Sequence, residues 1–264
     1  MKLRDKFWIW GQGAGTHHSA ERFKLVGENK MSPIEGARYL GIPNMCRVVM
    51  DGDLQVPIDI DKEGVVLNEL KKVIWSIYGS DRTGEVSYYD EIIRMLDKCP
   101  NIMGGIFDDF LAKQERLDEC PPEKIHEMRA NIEKITGKPF EMWLVVYVFE
   151  LFEKYKPWMD AVDVVTMWTW KATEIKNMRQ NYETLRKITG PDKRIVLGNY
   201  MWDYGNAQHM RPEDMQYQLD LQYEMLKSKE IDGIIFCSNC TADCGLETSD
   251  MVRDFIAKHG DEEI

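Results

Sequence analysis

Two adjacent carboxylates, Asp108 and Asp109, are the clearest candidates for chemistry in this sequence. They directly follow an apolar run that ends in Gly104-Gly-Ile-Phe107. A buried pair of acids is costly unless it is hydrogen-bonded or used. Because neighbouring residues on a strand point to opposite sides, we expect only one of the two to face a cavity. Capping of the next loop or an ion pair with a lysine is the alternative interpretation.

A third acid, Asp203, lies in the segment Asn199-Tyr-Met-Trp202-Asp203-Tyr204. Two carboxylates that flank one bond can cleave a glycoside: one protonates the departing oxygen, and the other attacks the anomeric carbon or activates water. The sequence therefore predicts Asp108 or Asp109 as the general acid and Asp203 as the second carboxylate. The acid needs a pKa raised by burial or by a like charge. A turn before Gly205 is the alternative role for Asp203.

Tryptophans are placed beside these acids. Flat aromatic rings bury a large area, and the indole N–H can hydrogen-bond a hydroxyl group. Each such residue taken alone is also compatible with simple packing. Four of them near the ends of apolar runs favour a sugar-binding cavity, with walls formed by Trp10, Trp168, Trp170 and Trp202.

Eight short apolar runs position these residues. They are Phe7–Trp10, Met45–Met50, Val73–Tyr78, Ile102–Phe107, Met142–Phe149, Val162–Trp168, Arg194–Met201 and Ile231–Cys237. Nearly every run ends in carboxylates, amides, tryptophans or glycines, and helical stretches follow. This repetition predicts an α/β fold, a single (β/α)8 TIM barrel over residues 1–264, with its site at the carboxyl ends of the strands. An open doubly wound sheet is the alternative, but Gly11-Gln-Gly13-Ala-Gly15 lacks the spacing of a phosphate loop.

Helix signals agree with that interpretation. Ser32 followed by Pro33 and Glu35 is typical of a capped helix start, and Gly41 suits its end. Pro121-Pro122 likewise predicts a helix that ends at Gly137.

Further polar residues at the strand ends are candidates for substrate contacts. His17 and His18 follow the first strand, and Asp51 follows the second. Tyr147, Asn199 and Asn239 lie at or just after the fifth, seventh and eighth strands. We expect these side chains to contact sugar hydroxyl groups.

A metal site is the competing chemistry. His17 and His18 with Asp51, Asp53 or Asp81 resemble the oxygen-and-imidazole ligand sets of metal-dependent sugar isomerases and epimerases. Cys237, Cys240 and Cys244 form a second cluster, which has no obvious fourth ligand for zinc. We expect free thiols at these three cysteines and no metal.

Composition narrows the class of protein. The 264 residues carry a net charge of −11, which disfavours nucleic acid, because phosphate binding needs a basic surface. No stretch approaches the roughly 20 apolar residues of a membrane helix. Six cysteines without a secretory signal favour free thiols in the cytoplasm.

Taken together, the barrel layout with Gly-Gly-Ile-Phe-Asp-Asp, Trp168-Thr-Trp170 and Tyr-Met-Trp-Asp-Tyr resembles (β/α)8 glycoside hydrolases, without matching one family. The large clan with acids after strands four and seven uses glutamates, and this chain has aspartates. The resemblance implies hydrolysis of a glycosidic bond in a carbohydrate substrate, with no cofactor. The alternatives are a metal-dependent sugar isomerase, epimerase or aldolase, and a non-catalytic carbohydrate-binding barrel. The oligomeric state is not predicted.

Overall fold

Eight parallel strands close into a barrel in the order of the chain. The computed structural model describes residues 1–50, 60–79, 88–96 and 98–264. The strands are β1 Phe7–Gly11, β2 Asn44–Arg47, β3 Lys72–Tyr78, β4 Ile102–Phe107, β5 Glu141–Tyr147, β6 Val164–Trp168, β7 Arg194–Tyr200 and β8 Gly233–Cys237. The predicted (β/α)8 fold is confirmed, and each of the eight predicted runs overlaps one strand.

Eleven α-helices lie within the described residues. They are α1 Thr16–Ser19, α2 Pro33–Leu40, α3 Ile60–Leu67, α4 Tyr89–Met95, α5 Gln114–Glu119, α6 Pro122–Thr136, α7 Lys156–Ala161, α8 Met178–Thr189, α9 Pro212–Lys227, α10 Asn239–Ala242 and α11 Glu247–His259. Short 3-10 helices cover Leu3–Lys6, Glu21–Phe23, Val148–Glu150, Glu153–Tyr155 and Ala172–Asn177. None of the helices described here is long and apolar enough to cross a membrane.

Helix α2 shows how local sequence sets an element. The Ser32 backbone N–H donates to the Glu35 carboxylate at 2.9 Å, and the Glu35 backbone N–H faces the Ser32 hydroxyl. Pro33 occupies the first helical position, and Gly41 ends the helix in the left-handed region at φ 72°. This is the capping box that the sequence predicts, and it fixes the helix that returns the chain to β2.

Indole rings fill the barrel interior. Trp8 meets Trp143 at 4.8 Å between ring centroids, and Trp10 meets Trp168 at 5.0 Å, both edge to face. A Cβ atom added at Gly198 would overlap the ring of Trp168. Because the interior of an eight-stranded barrel holds a limited volume of side chains, a glycine on β7 makes room for the indole on β6. The upper indole pair becomes the floor of the site.

Candidate active site

A cavity of about 210 Å³ lies at the carboxyl ends of the strands. Trp10 and Trp168 are almost fully buried and form its floor. Its other described lining residues are Gln12, His17, Arg22, Phe23, Met50, Asp108, Asp109, Val145, Tyr147, Phe149, Trp170, Tyr200, Tyr204 and Cys237. Both predicted strand-four acids therefore share a cavity with three of the four predicted tryptophans.

The backbone at Asp109 explains how two adjacent acids reach one cavity. Asp109 has φ 47°, in the left-handed region, so the chain leaves its extended path at the end of β4. This turn removes the strand alternation that would send the two side chains to opposite sides. The expectation that only one acid faces the cavity is wrong, since both Asp108 and Asp109 line it.

A buried arginine supports this turn. Arg116 on α5 is fully buried, and one of its guanidinium N–H groups donates to the Asp108 carbonyl at 2.7 Å. The same nitrogen reaches the Asp109 carbonyl at 3.4 Å. Its guanidinium carbon lies 5.1 Å from the Tyr78 ring centroid. Arg116 thus ties the turn at the end of β4 to the following helix.

Asp108 and Asp109 have different surroundings. Asp108 is only 3% exposed, and its burial, together with the negative charge of Asp109, raises its pKa well above the usual value. Asp109 is half-buried and accepts a hydrogen bond from the Tyr147 hydroxyl at 2.7 Å. Burial also raises the pKa of Tyr147, so this phenol keeps its proton and remains a donor.

A third acid lies beside this pair. Glu150, in the 3-10 helix after β5, is 4% exposed, and burial raises its pKa to about 7. One carboxylate oxygen accepts from the Tyr147 backbone N–H at 2.9 Å, and the other has no hydrogen-bond partner among the described residues. The charge of Asp109 adds to the rise. Glu150 does not line the cavity, but its charge contributes to the raised pKa of Asp108.

Aromatic side chains form the walls. Tyr147 stacks on Phe149 with rings 5.1 Å apart and 5° from parallel, and Phe149 remains 54% exposed at the mouth. Trp170 lies 5.8 Å from Tyr204, with ring planes 26° apart. The cavity is therefore lined by both aromatic rings and polar groups, a combination suited to the faces and hydroxyl groups of a sugar ring.

The wall next to β1 contains an uncharged histidine. Burial, together with the charges of His18 and Arg22, lowers the pKa of His17 to about 3. Its Nε2 faces the side-chain oxygen of Gln12, and its Nδ1 lies 2.7 Å from the Tyr204 hydroxyl. His17 lines the cavity as a neutral link between these two side chains.

Asp203 lies outside the cavity that Asp108 and Asp109 line. Its carboxylate accepts hydrogen bonds from the Ala172 backbone at 3.1 Å and from the Gln208 side chain at 3.1 Å. Asn206 adds its backbone N–H at 3.3 Å and its side-chain amide at 2.8 Å. Asp203 lines a separate surface pocket with His209 and Asp214, so the structure does not bring it together with Asp108 and Asp109. Its contacts match the turn role that the sequence left open.

Three other predicted side chains also point away from the cavity. Asn199 donates to the Gln222 side chain on α9 at 2.9 Å, because it lies on the outer face of β7, while its neighbour Tyr200 lines the cavity. The Trp202 indole donates to the Phe23 carbonyl at 3.0 Å. Asn239 is hydrogen-bonded to the backbone of Gln12 in both directions, at 2.8 Å each. These residues hold the rim together.

The remaining sequence candidates are placed as follows. The His18 ring nitrogen Nε2 lies 3.2 Å from the Val26 carbonyl, and His18 does not line the cavity. Asp51, Asp53 and Asp81 lie outside the described residues. All six cysteines are buried free thiols. Within the described part of the chain, no group of three His, Cys, Asp or Glu side chains is arranged to hold a metal ion.

Several lining residues were missed by the sequence interpretation. Gln12 and Arg22 lie in the long first connection, where no periodic pattern indicates which residues turn inward. Tyr200 and Tyr204 lie in the predicted segment Asn199–Tyr204, but the sequence interpretation chose Asn199, Trp202 and Asp203 as its site residues. Phe149 ends the fifth apolar run, and its aromatic character next to Glu150 was an available signal.

Comparison with known proteins supports the fold. No family model matches the sequence, and no curated protein matches it. Among solved structures, a candidate α-L-fucosidase from Bacteroides thetaiotaomicron aligns with a TM-score of 0.59 at 11% identity, over 87% of this chain and 86% of that one. A glycoside hydrolase family 18 N-acetylglucosaminidase from Paenibacillus barengoltzii gives 0.55 at 9% identity, over 94% and 99%.

A third match belongs to a different class of enzyme. A chain of the tryptophan synthase complex from Pyrococcus furiosus aligns with a TM-score of 0.51 at 8% identity, over 97% of this chain and 98% of that one. At such identities the matches show the barrel fold alone. The resemblance to glycoside hydrolase barrels is confirmed at that level, and no specific family is shown.

Proposed function

We propose that this protein hydrolyses a glycosidic bond in the cavity at the carboxyl ends of its barrel strands. The observation that carries the proposal is the Asp108–Asp109 pair, which lines an aromatic-walled cavity with Tyr147 hydrogen-bonded to Asp109. Glycoside hydrolases among the structural neighbours share the barrel. Hydrolysis of this kind requires no cofactor.

Asp108 is the proposed proton donor. A general acid must still be protonated near neutral pH when it transfers its proton to the leaving oxygen. The raised pKa of Asp108 meets that requirement through burial and the neighbouring charge. Asp109, held by the Tyr147 hydroxyl, is the proposed second carboxylate, which attacks the anomeric carbon or activates water. It replaces Asp203 in this role, since the four hydrogen bonds to Asp203 occupy it in the loop.

The aromatic walls are proposed to hold the sugar. Trp10 and Trp168 offer the floor, and Trp170 and Tyr204 offer one wall. The exposed ring of Phe149 at the mouth provides a surface for a second sugar unit. Carbohydrate is therefore the proposed substrate class.

The first experiment screens the wild-type protein against 4-nitrophenyl glycosides and oligosaccharides for release of nitrophenol or reducing ends. Asp109→Gly is the decisive variant. Glycine adopts φ 47° without steric cost, so this variant is compatible with the turn at the end of β4. We expect it to lose turnover, and we expect sodium azide to restore cleavage if Asp109 attacks or activates the nucleophile.

Asp108→Asn tests the acid. Loss of a general acid typically costs about 10²- to 10⁴-fold in rate, and the loss should be small for a 2,4-dinitrophenyl glycoside, whose leaving group needs no proton. Asp118→Asn, on the exposed side of α5, is the matched control and should leave turnover unchanged. Full activity in both Asp108 and Asp109 variants would refute these assignments. A wild type that binds oligosaccharides but cleaves none would favour the non-catalytic barrel.

A further inference from the structure

Arg22 differs from the other described arginines in its lack of a polar partner. Within residues 1–50, 60–79, 88–96 and 98–264, every other arginine makes an ion pair or a hydrogen bond. Arg22 makes neither with any described residue, and its guanidinium carbon lies 4.6 Å from the centroid of the Phe23 ring. In a chain with a net charge of −11, carboxylate partners are abundant, so a cation without one is notable.

This arginine is part of the cavity. Arg22 lines it together with Phe23 and His17, and no other lysine or arginine is among the described lining residues. Phe23 packs edge to face on Tyr204 at 5.0 Å, so the ring beneath the guanidinium is fixed to the cavity wall. Because His17 is neutral, Arg22 supplies the positive charge of this wall.

Gln12 adds a neutral donor to the same wall. Its side-chain oxygen faces Nε2 of His17, and its backbone N–H and carbonyl are both hydrogen-bonded to the Asn239 side chain. The side-chain amide nitrogen is therefore the part of Gln12 left for the cavity, and it has no hydrogen bond to another described residue.

We infer that the wall formed by Arg22 and Gln12 binds an anionic substituent, a carboxylate or a sulfate ester, on the sugar that enters the cavity. A guanidinium group and an amide N–H₂ group offer only donors, and anionic oxygens are their strongest acceptors. This inference rests on the proposed function and specifies its substrate class as acidic sugars.

The position of the wall is consistent with that chemistry. Arg22 and Gln12 follow β1, whereas the acids follow β4, three strands further around a barrel of eight. An anionic group bound by Arg22 and Gln12 is kept away from the carboxylates of Asp108 and Asp109. The sugar ring that carries this group then lies over the floor formed by Trp10 and Trp168. Binding at the same wall would also weaken with added salt, because Arg22 is exposed and open to screening.

The test measures binding, not turnover. Saturation-transfer NMR titrations at low ionic strength would compare D-glucuronate with D-glucose, D-galacturonate with D-galactose, and D-glucose 6-sulfate with D-glucose. Three proteins are used: the wild type, Arg22→Gln, and the control Lys24→Gln, which removes the same charge two residues away at an exposed position outside the cavity.

We expect an acidic sugar to bind the wild type about tenfold more tightly than its neutral counterpart, as one charge-assisted hydrogen-bond pair provides. Arg22→Gln should abolish this preference, and Lys24→Gln should retain it. A preference confined to the sulfated sugar would support the anionic wall and identify sulfate as the group. Equal affinity for acidic and neutral sugars, or a preference that survives Arg22→Gln, would overturn the inference while leaving the hydrolase proposal intact. If no sugar binds and none is cleaved, both proposals fail.

Discussion

The carboxyl group of Glu150 makes the stability of this protein depend on pH in a way that one substitution can isolate. Burial raises the pKa of Glu150 from 4.5 to about 7, so the folded state binds the proton more tightly than the unfolded state. The resulting stability is fully present below pH 4.5 and is lost as the pH rises to 7 and above. At about 1.4 kcal/mol per pH unit, the loss is about 3 kcal/mol.

Glu150→Gln removes this titration while keeping the shape of the side chain. We expect the free energy of unfolding of the variant, minus that of the wild type, to rise by about 3 kcal/mol between pH 4.5 and pH 8. In a chain of this size the same change corresponds to roughly 6–12 °C in the thermal midpoint. Any cost of placing an amide at the unpartnered oxygen is independent of pH and cancels in the comparison. Asp108 titrates in both proteins, and only its electrostatic coupling to the Glu150 charge differs between them.

Guanidinium chloride unfolding at pH 4.5, 6 and 8, followed by circular dichroism, measures the effect. Glu153→Gln provides the matched control, because it makes the same carboxylate-to-amide change at an exposed position in the next 3-10 helix. If the Glu150→Gln difference stays constant to within about 1 kcal/mol over this range, the account of Glu150 as a buried carboxyl with a raised pKa is wrong.

Three further predictions follow from the structure. Asp203→Ala should lower the free energy of unfolding by about 2–3 kcal/mol, because four hydrogen-bond donors lose their acceptor. The variant should retain the wild-type turnover per folded molecule. A complete loss of turnover with the free energy of unfolding unchanged would contradict this prediction. Gly198→Ala should destabilise the barrel by about 1–3 kcal/mol, because the added Cβ overlaps the Trp168 ring, and denaturant unfolding measures this loss. Gly64→Ala in helix α3 is the control. Its added Cβ has its nearest contact at an ordinary 3.6 Å, so the variant should be as stable as the wild type or more stable. The alkaline limb of kcat/KM should lie well above pH 3.8, the ordinary aspartate value, because the pKa of Asp108 is raised, and Asp108→Asn should remove that limb.

Much of the fold could be predicted because the strand pattern is local. A strand buried on both faces needs a continuous apolar run, and a polar break marks where it ends, so eight runs were enough to predict eight strands. Capping residues gave the ends of α2 and α6 for the same reason, since Ser32 and Gly137 act within one helical turn. The acids after β4 and the indoles of the floor were found because strand ends meet at one face of the barrel.

The face to which each side chain points depended on the tertiary structure. On β7, a phase difference of one residue separates Asn199, which bonds to a helix, from Tyr200, which lines the cavity. At Asp109, a single positive φ brings two adjacent acids into one cavity, and no residue type in the sequence required it. Asp203 sits in a loop, where the hydrogen bonds of the surrounding chain, and not periodicity, decide its direction.

The sequence by itself thus determined the barrel, the ends of its strands and the residue types available at its mouth, because these follow from hydrophobic pattern and local capping. Only the tertiary structure decided which of those residues share a cavity. The physical reason is that strand phase, loop direction and the burial that shifts a pKa depend on packing between segments far apart in the chain. Arg22, His17 and Tyr204 meet at one wall through such packing.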